Sequence, residues 1–70
     1  MNPVEQLLSL RMGDIYVDTR LGPILVTNVK SRYADSIYVD VLLPSGIRDM
    51  RWLTTSGVRE GLFTLMHRVK

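Results

Sequence analysis

Hydrophobic and polar residues alternate most regularly between Ser36 and Leu53. Ile37, Val39, Val41 and Leu43 recur at every second position, separated by Tyr38, Asp40 and Leu42. A period of two is the pattern of a strand with one buried face. Pro44-Ser45-Gly46 interrupts the run. Proline presets φ for a turn, and glycine accepts the positive φ that a tight reversal needs. A second run, Ile47 to Leu53, follows at once, so the pattern predicts a β-hairpin.

Upstream, the period changes. Asn2-Pro3-Val4-Glu5 has the character of a helix start: a side-chain acceptor, a proline at the first helical position and an acid in the first turn. Val4, Leu7, Leu8 and Met12 recur at helical spacing, and Gly13 is a natural stop. The spacing predicts a short amphipathic helix from Pro3 to Arg11, packed over one end of the domain rather than offered to a partner. Asp14 to Asp18 and Ile24 to Lys30 are apolar and rich in β-branched residues, which predicts two further strands. Thr19-Arg20-Leu21-Gly22-Pro23 is a turn, and Ser31 to Asp35 is a polar connection. The tail supports two patterns. Val58, Leu62, Leu65, Met66 and Val69 fit a helix, while Phe63, Leu65, His67 and Val69 fit a strand. Gly57 and Gly61 lower helix propensity, so a turn over 54–61 and a last strand over 62–69 are favoured.

Strands joined by tight links, with no helix between them, imply an antiparallel sheet. At this size a closed barrel removes the exposed edges. The expected fold class is therefore all-β: a small SH3-like antiparallel barrel of about five strands with a short N-terminal helix. Seventy residues make one domain, with 1–12 as the helical extension and 13–70 as the barrel.

Composition narrows the function. A hydrophobic share of 46% argues for a folded chain, and the absence of cysteine removes disulfides and thiolate ligands. No apolar run approaches the roughly 20 residues that span a bilayer. The start of the chain lacks the basic and apolar regions of an export signal, so a cytoplasmic location is expected. The formal charge of +2 is too small to imply a polyanion ligand by itself. Its distribution is uneven: from Pro44 onward five basic residues face two acids, while up to Leu43 four face five.

Catalysis is the weakest class. His67 is the single histidine, and a serine mechanism needs a base held beside the nucleophile. One histidine and scattered carboxylates have no zinc or calcium spacing. The glycines lack the Lys-Ser/Thr register of a phosphate loop. No enzyme activity, cofactor or metal is expected.

Several short segments carry a family likeness. Gly13-Asp14-Ile15-Tyr16 opens it, Leu21-Gly22-Pro23-Ile24-Leu25-Val26 follows, Val39-Asp40-Val41 and Ser45-Gly46 continue it, and Val58-Arg59-Glu60-Gly61 ends it. In this order, over 13–63, the chain resembles the small SH3-like repeat common in phage proteins and sometimes found beside homing-type HNH endonuclease domains. It departs from that pattern at Pro44, where the family has an acid, and in the helical extension 2–12. With one histidine it cannot hold the HNH chemistry of such neighbours. The resemblance implies a compact, phage-encoded binding module with nucleic acid as its usual ligand.

The residues offer material for that ligand. Arg48, Met50 and Trp52 share one face of the fourth strand, and Ile47, Asp49, Arg51 and Leu53 the other. Arginine and an aromatic ring on a strand can track phosphates and stack a base. Arg48, Arg51, Trp52 and Arg59 are the expected contacts, with Arg20, Lys30 and Arg32 assisting. The plainer alternative puts Trp52 in the barrel wall and pairs the arginines with Asp40 and Asp49. The rival function is a module that binds and modulates a host protein, since Tyr16, Tyr38, Met50, Trp52 and arginine are the residue types of interface centres. An apolar surface left open would also allow a homodimer.

Overall fold

The computed structural model describes residues 2–67. In chain order the elements are α1 (Pro3–Leu8), β1 (Ile15–Asp18), β2 (Gly22–Arg32), β3 (Ser36–Leu42), β4 (Arg48–Thr54), α2 (Thr55–Arg59) and β5 (Phe63–His67). The strands form one antiparallel sheet in the order β4-β3-β2-β1-β5. β2 is long enough to pair with β1 through its first half and with β3 through its second. Its register shifts between Val26 and Asn28 and again between Val29 and Ser31. Such irregularities bend a strand and increase its twist. The sheet curls accordingly, to extents of 29 × 22 × 22 Å. Its edges are β4 and β5, and no ladder joins them among the described residues, so a closed barrel is not what the hydrogen bonds form.

The alternating pattern sets the core. Ile37, Val39 and Val41 of β3 are buried with Ile24 and Val26 of β2, Tyr16 of β1, Leu53 of β4 and Phe63 of β5. The hairpin turn closes with Gly46 N–H donating to Leu43 O at 2.9 Å, and Gly46 takes φ 88°, a conformation a side chain would strain. α1 starts as expected: Asn2 Oδ1 accepts from the Glu5 N–H at 2.8 Å. It ends earlier than its spacing implies, at Leu8 instead of Arg11, which leaves Met12 exposed. A local carboxylate and a distant guanidinium take over there. The Arg11 N–H donates to Asp14 Oδ2 at 2.9 Å instead of to a carbonyl one turn back, and the Arg32 guanidinium donates to the carbonyls of Leu8 (2.8 Å) and Leu10, satisfying acceptors left open past the helix end. Leu7 and Leu10 are buried, and α1 packs on α2, β3 and β5.

In the tail, the favoured strand reading holds: β5 pairs with β1, Phe63 lying opposite Asp18 and His67 opposite Ile15. Positions 68 and 69 of the expected strand lie outside the described residues. The expected turn over 54–61 is instead the short helix α2. Thr54 Oγ1 accepts from the Gly57 N–H at 3.0 Å and caps it. Gly57 sits where a Cβ would come 2.8 Å from a Phe63 ring carbon, so the glycine that lowers helix propensity is what lets α2 rest on the core.

Candidate functional site: the outer face of β3 and β4

On β4 the side chains divide as strand alternation requires. Trp52 lies opposite Tyr38, Met50 opposite Asp40 and Arg48 opposite Leu42, all on the face turned from the core. Asp49, Arg51 and Leu53 lie opposite the buried Val41, Val39 and Ile37. Trp52 is therefore outside and 54% exposed, not part of a barrel wall. Its ring centre is 4.8 Å from that of Tyr38 and 5.3 Å from that of Tyr33, with planes tilted by 31° and 33°. The Tyr38 hydroxyl donates to Met50 Sδ at 3.3 Å. Tyr33 is 51% exposed. Three offset rings and a thioether thus form a contiguous open platform, with Tyr33 brought in from the β2–β3 connection.

The seven expected nucleic-acid contacts do not converge on it. Arg48 belongs to the platform's face and makes no side-chain ion pair or hydrogen bond among the described residues. Lys30 Nζ lies 4.0 Å from Asp40 Oδ2, an exposed pair that offsets its charge. Arg32 is spent on the end of α1. Arg59 borders a hollow with Asn2, Pro3, Val4 and Val58 at the helical end. Arg51 is on the core-facing side of β4, where its Nε stands 3.3 Å from Asp49 Oδ2. That contact is an ion pair without hydrogen-bond geometry, so the buried Nε–H has no acceptor among the described residues. Strand alternation puts Arg51 and Trp52 on opposite faces of β4, though both border one open cleft, and tertiary packing removes Arg32 and Arg59. Trp52 and Arg48 are what remain of the expected arginine and tryptophan wall.

Arg20 and Arg51 instead meet, with Trp52 also lining the site, at an open cleft of about 410 Å³ between β4 and the β1–β5 side, beside Tyr16, Asp18 and Phe63. Burial pushes the Tyr16 phenol up to about 12; the Arg51 guanidinium opposes the rise, and the Asp18 and Asp49 carboxylates add to it. At Asp18 slight burial raises the pKa, but the opposing effects win. Its Oδ1 accepts from the N–H groups of Arg20 (2.8 Å) and Leu21 (3.0 Å), and the guanidiniums of Arg20 and Arg51 add to them, holding the carboxyl below its ordinary value. The cleft's cations are thus matched by acids. Among the described residues there is no group of three side chains fit to hold a metal ion, and no helix is long and apolar enough to cross a membrane. Sequence reasoning offered Tyr33 as a flank of the strand surface and Tyr38 as an interface residue type, but not their packing on Trp52. Their signal was an aromatic residue next to a polar connection and another at an outward strand position.

The class these features define is a small, curled, antiparallel β domain with an aromatic outer face. No family model, curated protein or solved structure matches the chain.

Proposed function

We propose that this protein is a non-catalytic binding module whose ligand is a segment of a partner protein, docked on the Tyr33–Trp52–Tyr38 platform. The observation that carries the reading is the exposure of that platform. Large rings on an outer sheet face, beside a methionine and an arginine unpaired among the described residues, have the composition of an interface centre. Electrostatics weighs against a polyanion as first choice. Of six basic candidates, Arg48 and Lys30 accompany the rings, and Asp40 offsets Lys30. Two phosphate contacts would give a small salt slope and weak binding. The supporting architecture is read as an SH3-like barrel that α2 and side-chain packing complete where no ladder does.

A second reading, single-stranded nucleic acid, has one observation in its favour: stacked rings next to Arg48 suit unpaired bases. Trp52 is the only tryptophan, so its fluorescence reports the platform directly. Titration with a short single-stranded oligonucleotide and with extract fractions from the source cell separates the two readings. The first expects a protein complex that survives about 0.5 M salt, is lost in Trp52→Ala, and is unaffected by oligonucleotide. Quenching by oligonucleotide that fades with salt, with no such complex, reverses the assignment.

A further inference from the structure

The free edge of β4 carries a self-complementary pattern. Leu43 N–H donates to Ile47 O at 2.9 Å, and the β3–β4 register continues from that pair. In an antiparallel ladder, hydrogen-bonded and non-bonded pairs alternate. Asp49, Arg51 and Leu53 therefore point their backbone groups toward β3, while Arg48, Met50 and Trp52 point theirs away from the sheet. The Met50 N–H bears this out, since its acceptor is Asp49 Oδ1 at 2.8 Å, not a strand. Ile47, Met50 and Trp52, each more than half exposed, all lie on or next to this edge.

We infer that the edge is a docking surface for a second copy of this chain, paired antiparallel about a two-fold axis at Met50. In that register Met50 faces Met50 of the second copy on the axis, while Arg48 faces Trp52 and Asp49 faces Arg51, these two pairs each occurring twice by symmetry. The outward backbone groups of 48, 50 and 52 then pair with one another, as hydrogen-bonded positions must. The charge order on β4 selects this arrangement: plus, minus, plus at 48, 49 and 51 sets opposite charges across the axis, whereas a parallel copy sets like against like. Arg51, whose Nε–H has no acceptor among the described residues, faces the Asp49 carboxylate of the second copy. The Met50 N–H exchanges the Asp49 side chain for a backbone carbonyl and frees that carboxylate. Arg48 comes beside the Trp52 ring, a cation–π arrangement. Charged residues on an edge commonly prevent association; here they alternate so that only one antiparallel register is favoured. The two aromatic platforms end on the same side of a continuous sheet. The dimer does not depend on what the platforms bind.

Sedimentation velocity on the full chain without ligand tests this. One strand pair is a small interface, so the wild type is expected to pass from monomer to dimer between about 5 and 500 µM. Met50→Pro removes the central donor, a group outside the β3 ladder. It should stay folded by circular dichroism and weaken dimerisation at least about tenfold, the loss of roughly 1.4 kcal/mol. D49R and R51D should each weaken it, and the D49R/R51D double variant should recover it because the exchange restores opposite charges. If M50P does not fold, the charge-exchange set decides. A wild type that stays monomeric throughout overturns the inference. So does a dimer indifferent to both single reversals, or a double variant no better than either.

Discussion

Tyr16 and Phe63 meet edge to face inside the curled sheet, with centres 5.7 Å apart and planes at 66°. Tyr33, Tyr38 and Trp52 stack on its outside, the tyrosine planes tilted by 33° and 31° from that of Trp52. Both clusters are built on the same sheet, Tyr33 alone coming from a connection, and both bring together residues apart in sequence. They differ in what covers them. The inner pair is sealed by α2, which lands on Phe63 through Gly57, and Tyr16 is 1% exposed. The outer trio is covered by nothing within the described chain. An aromatic cluster inside holds a 70-residue fold together, whereas the same residue types outside cost little to lose and are free to bind.

The comparison breaks first at Phe63. Phe63→Ala should cost about 3–5 kcal/mol, most of the stability of so small a domain, and thermal melting should find it largely unfolded. Gly57→Ala forces a methyl group against the Phe63 ring and should cost about 1–3 kcal/mol in denaturant titration. Arg32→Ala releases the carbonyls at the end of α1, so a loss of about 1–2 kcal/mol is expected with the sheet intact. A nucleic-acid contact at Arg32 would instead leave stability unchanged.

Alkaline titration sharpens the contrast. Tyr16 holds its proton more tightly folded, at about 12, than unfolded, near 10. Its contribution is thus complete below pH 10 and is lost as pH rises from 10 toward 12. Absorbance near 295 nm, a region where phenolate absorbs, should show one late-titrating tyrosine that Tyr16→Phe removes. The smallest effect on stability belongs outside. Trp52→Ala should shift the unfolding free energy by no more than about 1 kcal/mol while abolishing ligand binding. A large destabilisation there would make the outer trio a structural element and withdraw the proposed function.

Local pattern determined a good deal of this protein. The alternation from Ile37 to Leu43, the turn at Pro44-Ser45-Gly46 and the cap at Asn2 each act within a few residues, so a one-dimensional reading suffices for them. It also divided Arg48, Met50 and Trp52 from Asp49, Arg51 and Leu53, because a strand's two faces follow from its period of two. Which face is buried, however, depends on the neighbouring strand: Leu53 is inside because it sits opposite Ile37, and Trp52 is outside with Tyr38. The carbonyls past the end of α1 are satisfied by Arg32, 24 residues beyond Leu8, and α2 is set by a cap and a glycine fitted to Phe63. The gathering of Tyr33 onto Trp52, and the dispersal of the arginines, likewise needed the folded sheet. Contacts between distant segments are set by how the bulged β2 curls the whole, and no local spacing encodes that curvature.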